Sequence, residues 1–336
     1  MRRWQHIIRR WFNLALTRLG TTRIIALMFL VIILTGTALL MTPWATRDGL
    51  GCGFTPALFT ATSATCVTGL VMYDTWTQFS FFGQIVILCL IQIGGLGFFV
   101  WEELVRKRSF KALSVYSKLV LIITASLLTA GTAAILLTEW NNPATLGSMS
   151  GGDKLLNAFL QSVTVRTAGF AAIDQAALTD SGKIVSVLLM LIGGSSGSTA
   201  GGMKTVTLMV MILFVWARAR GRETVSVFKR TIPNSQILDA MTITVIMTCL
   251  AVFGGLFISA SSGFPFVDGL YEAASAIATV GLSAAGSPNL NTLCKYLIVM
   301  YMYFGRVGIL TISLGFLGAD RVRERFRYAE TKLLIG

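Results

Sequence analysis

Three stretches of this chain carry the same arrangement of residues: FTATSATCVTGL at 59–70, FLQSVTVRTAGF at 159–170 and YEAASAIATVGL at 271–282. They align on Gly69, Gly169 and Gly281, each with an aromatic residue ten positions earlier and small or hydroxyl residues nearby. The chemistry that suits such residues is cation coordination by backbone carbonyls. A membrane that passes a cation must replace its hydration shell with oxygen atoms, and consecutive inward-facing carbonyls do this. That needs extended backbone without ladder partners, which glycine permits because it lacks a Cβ. Irregular backbone at membrane depth is tolerated where it lines a cavity. The triplets Val67, Thr68, Gly69, then Thr167, Ala168, Gly169, then Thr279, Val280, Gly281 meet these demands. Small residues also let membrane helices pack closely, so one such segment alone reads either way. Three aligned copies, each between apolar runs, favour a filter of carbonyls.

The elements that must hold these triplets are apolar. The chain is 54% hydrophobic and 13% charged, where a soluble domain carries roughly 25% charged residues. Runs at about 24–41, 81–101, 119–138, 184–216, 236–260 and 292–317 are long enough to cross a bilayer. The first is too long for a signal-peptide core and is followed by Pro43 and Trp44 rather than a small-residue cleavage site. The fold class this predicts is an all-α integral membrane protein of three span–pore-helix–span repeats. It has six transmembrane helices, three re-entrant pore segments and a broken helix in the fourth span. The glycines lie 100 and then 112 positions apart, which suits a repeat of that length. The units are expected at 23–101, 119–216 and 236–317, with cytoplasmic segments at 1–22, 102–118, 217–235 and 318–336. A pore helix that aims its negative C-terminal end at the cavity favours a cation. Asp153 and Asp268 lie near the starts of the second and third pore helices, where an acid caps exposed N–H groups.

The net charge of +13 comes mainly from basic residues clustered in those four cytoplasmic segments, while the opposite loops carry only Arg47, Lys154, Lys183 and Lys295. Arg2, Arg3, Arg9 and Arg10 open the chain, Arg106, Lys107 and Lys111 follow the second run, Arg218, Arg220 and Arg222 the fourth, and Arg321, Arg323 and Arg325 the last. The positive-inside rule puts these clusters, and both termini, in the cytoplasm of a multi-pass plasma-membrane protein. A basic face of this kind binds anionic lipid or an acidic partner, and no nucleic acid is expected. Cys52, Cys66, Cys89, Cys249 and Cys294 show no CxxC spacing, which predicts neither a metal site nor a disulfide framework. The single histidine, His6, has no acid or nucleophile to complete a catalytic set, so the chain is not expected to be an enzyme.

The fourth run contains Gly193, Gly194, Ser195, Ser196, Gly197, Ser198, Thr199, Ala200, Gly201 and Gly202, then Met203 and Lys204. Each glycine costs up to about 1 kcal/mol relative to alanine in a helix, so the helix should break into a mid-membrane loop. Met203 interrupts the GK[ST] junction that a phosphate-binding loop requires. The expected role is a gate below the filter, with a plain kinked helix as the alternative. Arg306 lies inside the last run, where a charge usually faces a water-filled path or a partner. It is expected to line the pore and bond the broken loop. Lys204 would act similarly or snorkel to the inner surface.

The strings TATSATCVTGL at 60–70, QIGGLGF at 92–98, QSVTVRTAGF at 161–170, GGSSGSTAGG at 193–202, ATVGLS at 278–283 and GRVG at 305–308 together closely resemble the Trk/Ktr/HKT superfamily of potassium transporters, and its KtrB-like membrane subunits in particular. The resemblance implies potassium uptake, often coupled to or stimulated by sodium. It implies a homodimer seated on cytosolic KtrA/TrkA-type subunits that bind ATP or ADP, with no cofactor on this chain itself. It also implies that the glycine-rich loop and Arg306 are gate elements. One departure is large. Members of the superfamily have four units, and the filter of the second is absent between Gly69 and Gly169, so the second unit present here is third-unit-like. Three sides of a fourfold ring leave unpaired carbonyls, at several kcal/mol per unsatisfied group. The chain would collapse, close as a wider threefold ring, or borrow a segment from a neighbour. Two functional readings follow: a potassium-translocating subunit, or a non-conducting truncated paralogue that inserts and binds the family's partners.

Overall fold

The structure, a computed structural model, describes residues 27–107, 109–198 and 200–307. The N-terminal basic segment with His6, the tail at 318–336, Thr199 and Gly308 lie outside the described residues. The described chain is helical: α1 (Leu27–Leu40), α2 (Phe54–Cys66), α3 (Thr75–Gln78), α4 (Phe81–Leu96), α5 (Phe98–Lys107), α6 (Val115–Glu139), α7 (Gly151–Thr164), α8 (Asp180–Leu191), α9 (Thr205–Ala219), α10 (Asn234–Ser262), α11 (Phe266–Ile277) and α12 (Thr292–Val307). A two-residue hairpin, β1 (Ser226–Val227) with β2 (Arg230–Thr231), joins α9 to α10 in antiparallel register.

Hydroxyl residues cap four of these helices. The side-chain oxygens of Ser80, Ser114, Ser150 and Thr179 accept the backbone N–H three residues on, at 3.0 to 3.3 Å. Losing such a cap costs about 1 kcal/mol. The acidic caps expected from the sequence are therefore corrected. At α7 the cap is Ser150, and Asp153 accepts that hydroxyl's proton at 2.7 Å. At α11 no side chain caps the helix; Asp268 instead pairs with Lys183 of α8 at 2.6 Å, with both side chains largely buried.

Helix α11 packs on α10, α8 and α12, α6 packs on α7, α8 and α9, and α2 packs on α4. Glycine allows the closest approach. A methyl placed on Gly255 of α10 would lie 2.8 Å from the Leu270 Cα of α11, and one on Gly269 would lie 2.7 Å from the Gly255 carbonyl. Buried cores form where these helices meet, around Leu40, Ile87 and Phe170, around Met190, Tyr271 and Val280, and around Ile258, Ile277 and Tyr301. The perimeter is apolar too, with Leu137, Val245, Leu256 and Val299 exposed. An apolar surface on that scale suits hydrocarbon rather than water, and the protein is an integral membrane protein.

The expected runs are not all single helices. Among the described residues, α6 and α10 are long and apolar enough to cross a bilayer alone, and α4 with α5 makes a third if the bent pair counts as one. Helices α1 and α9 are shorter apolar helices. The run at 81–101 turns by 100° between α4 and α5, at Gly97, whose φ of +77° lies in the left-handed region. The run at 184–216 stops at Leu191 and resumes at Thr205, as the glycine content of its centre predicts.

Candidate functional site

The three aligned segments share an unusual backbone. Helix α2 ends at Cys66, and Val67 takes a left-handed φ of +55° before Gly69 at +74°. After α7, Thr167 stands at +76° and Gly169 at +74°. After α11, Thr279 stands at +55° and Gly281 at +87°. A side-chain-bearing residue in this region costs roughly 1–2 kcal/mol, and for β-branched valine and threonine it is a genuine outlier. Apart from the β1–β2 turn, these are the only non-glycine residues with positive φ among those described. Strain of this kind persists where surrounding structure enforces it, and it gathers at functional sites.

The segments also converge. A methyl placed on Gly69 would lie 2.9 Å from both the Ala168 carbonyl oxygen and the Gly169 Cα; one on Gly169 would lie 2.7 Å from the Val280 carbonyl oxygen. The first two glycines are therefore in backbone contact, with the third segment beside them. Gly281 differs: a methyl there would meet no atom within 4 Å. The triplets named from the sequence come together, but not as an evenly open ring. Two are packed against one another and the third borders open space. The Thr68 hydroxyl donates to Ser63 Oγ at 3.0 Å.

The broken fourth run folds against this cluster. Its neck is a short parallel ladder, with Gly193 N–H on the Met203 carbonyl at 2.8 Å and Met203 N–H on the Leu191 carbonyl at 3.1 Å. Ser195 donates its N–H to the Gly95 carbonyl at 3.1 Å and its hydroxyl to Leu96, which anchors the loop to the bend of α4. The Tyr116 hydroxyl of α6 donates to the Ser196 carbonyl at 2.7 Å. At the far side, a methyl on Gly201 would lie 2.8 Å from the Ala278 carbonyl, so the loop touches the third segment directly. Lys204 donates to the Ala200 carbonyl at 2.7 Å and lies near enough to Arg306 for their charges to interact. A methyl placed on Gly305, beside Arg306, would overlap the Ile277 carbonyl oxygen and lie 3.2 Å from Thr279 Cγ2. Loop, last helix and third segment thus form one contiguous set.

Several supporting residues escaped the sequence reading. Tyr271, the aromatic ten before Gly281, is fully buried and donates to Gln175 Oε1 at 2.7 Å. Gln175 in turn accepts from Gln161 of α7 at 2.6 Å. This strut ties the second pore-helix candidate to the third. Glu272 is buried and accepts the Ala285 N–H at 3.0 Å and the hydroxyls of Ser283 and Ser287, which holds the chain returning from Gly281. Arg166 lies between α7 and Thr167, nine-tenths buried. A lone arginine inside an apolar segment is itself a functional signal and was available in the string QSVTVRTAGF.

Comparison with known proteins adds to this geometry. Residues 101–322 match the family model described as TrkH, cation transport protein. The chain is 35% identical to the potassium/sodium uptake protein NtpJ of Enterococcus hirae over 288 residues, which are 83% of this chain but 64% of that protein. It is 27% identical to the Ktr system potassium uptake protein B of Bacillus subtilis, with 95% of this chain and 97% of that protein aligned over 437 positions. Since this chain has 336 residues, at least about a hundred of those 437 positions hold no residue of it. The crystal structure of the potassium transporter TrkH from Vibrio parahaemolyticus superposes with a TM-score of 0.68 at 17% identity, over 90% of this chain and 64% of that one. Such a likeness speaks to the fold. The family is one of cation transporters and not of enzymes. With a family model that matches about two thirds of its length and left-handed glycine segments that meet in its fold, the chain belongs to the TrkH cation transport protein family, as a KtrB-like member of the Trk/Ktr superfamily.

Proposed function

We propose that this chain is the membrane-embedded translocating subunit of a Ktr/Trk-type potassium uptake system. The carrying observation is the left-handed residue two positions before the glycine in all three segments, where regular helix would have cost nothing. Backbone held in that form is free to turn carbonyls on a cation. In this reading Val67, Thr68, Gly69, Thr167, Ala168, Gly169, Thr279, Val280 and Gly281 form the filter, and potassium is cargo rather than cofactor. The loop from Gly193 to Gly202, with Lys204 and Arg306, is the gate, since the loop meets the third segment at Ala278 and the last helix meets the same segment at Gly305. The bilayer arrangement is six spans with three re-entrant pore segments, units at 23–101, 119–216 and 236–317, and cytoplasmic termini in the plasma membrane. The names of the relatives, potassium/sodium uptake and Ktr system potassium uptake, support potassium as the ion and sodium as a coupled one. They also support a multi-component system. We assign it a homodimer on a KtrA/TrkA-type subunit that carries the ATP or ADP.

A second reading has its own support. The contact between Gly69 and Gly169 and the hundred or so unmatched positions fit a chain that lacks one filter unit, inserts, binds partners and does not conduct. Potassium-limited growth of a bacterial strain without its own uptake systems separates the two. The strain carries this chain with and without a KtrA-type subunit. Rescue that Gly169→Ser weakens establishes translocation; no rescue by chain verified in the membrane establishes the non-conducting form.

A further inference from the structure

Arg166 is a buried cation, 9% exposed, and it sits directly before the left-handed Thr167. Its Nη2 donates to the Gly193 carbonyl at 3.4 Å. Gly193 is the first residue of the glycine-rich loop, and its own N–H closes the neck ladder on Met203. The Arg166 Nε has no partner among the described residues. The guanidinium borders a cavity of about 10 Å³ lined by Val67, Gly95, Thr124 and Gly194, a volume that suits one bridging water. Among the described residues no carboxylate pairs with it. What makes the charge tolerable is position: Arg166 lies two residues past the end of α7, where the helix presents the negative end of its dipole.

A buried guanidinium that spends its donor on a loop carbonyl, and not on an acid, is placed to hold that loop. We propose that Arg166 is a positioning residue that latches the neck of the glycine-rich loop to the second glycine segment. Movement of the loop then breaks the bond at Gly193 and frees the backbone at Thr167. Filter and loop are then coupled through one side chain. The meaning of this latch for transport rests on the loop being the gate, as proposed above; the latch itself is a statement about the loop's stability.

Amide hydrogen exchange, read by mass spectrometry on the full-length chain in detergent, tests it. In Arg166→Met, exchange in peptides covering 193–205 is expected to rise about tenfold, as loss of a hydrogen bond to a charged group implies. Peptides from α6 and α10 should keep their rates. Arg166→Lys retains a charge and a donor and should restore most of the protection. Unchanged exchange in the methionine variant overturns the proposal. So does an equal rise in α6 and α10, which would make Arg166 a general support of the fold. A lysine variant that exchanges as fast as the methionine variant also overturns it, since packing rather than a donated bond would then explain the effect. Exchange requires no ion flux, so a chain that fails to rescue growth still answers this question, and the two failures remain distinct.

Discussion

The three filter glycines look alike in sequence and differ in what surrounds them. At Gly169 an added methyl meets the Val280 carbonyl at 2.7 Å and the Gly69 Cα at 2.8 Å, on a φ of +74°. At Gly281 the φ is +87° but nothing lies within 4 Å. Gly281→Ala should therefore cost only the left-handed backbone, about 1–2 kcal/mol. Gly169→Ala should cost that plus roughly 1–3 kcal/mol of overpacking, because backbone atoms cannot step aside as side chains do. Thermal unfolding of the purified variants checks the order. Equal losses at the two positions would mean that the Gly69–Gly169 contact does not exist in the membrane. At the same scale, the strain at Val67, Thr167 and Thr279 was invisible in the sequence. Threonine and valine are ordinary residues until the return of the chain pushes them left-handed.

At the scale of elements, the bend between α4 and α5 and the loop between α8 and α9 support one another, with Ser195 anchored on Gly95 and Leu96. The start of α6 is tied to the same corner through α5 and the basic segment that follows the second apolar run. There Glu103 of α5 accepts from Lys107, from Ser114 N–H at 3.1 Å and from Ser114 Oγ at 2.7 Å. Burial pushes the Glu103 carboxyl up, but the bonds from Lys107, Ser117 and Ser114 outweigh it and hold the group at about 2, against an ordinary 4.5. A carboxyl lowered by folding contributes stability above its unfolded value and loses it as the folded group protonates. This contribution is thus complete above pH 4.5 and fades between 4.5 and about 2. Unfolding midpoints measured across that window should fall more steeply in the parent than in Glu103→Gln, and the two slopes should coincide above pH 6. Parallel slopes throughout would mean that the carboxylate is not held by these donors.

For the whole molecule, the question is whether three converging segments bind an ion. A ligand that binds only the folded state at a hundredfold its dissociation constant stabilises by about 2.7 kcal/mol. A translocating chain should melt at a higher temperature in potassium chloride than in choline chloride at equal ionic strength. The non-conducting reading expects equal midpoints, since the Gly69–Gly169 contact leaves no ion space between those segments. Sodium chloride in a third sample reports the preference between the two ions.

The membrane class, the break at Gly193, the left-handed freedom at Gly69, Gly169 and Gly281, and the family were all legible in the residues. Each rests on local physics: apolar length, the cost of glycine in a helix, and short strings whose spacing survives without knowledge of their neighbours. Boundaries that depend on packing were not legible. The 100° turn at Gly97 sits against the loop, with Gly197 2.9 Å from where a methyl on Gly97 would lie. Asp268 reads as a helix cap until α8 brings Lys183 to it across 85 residues of chain. Whether the three triplets stand apart or touch was likewise decided only in three dimensions. A ring is a property of distances between distant segments, and the number of units that share the circle sets those distances.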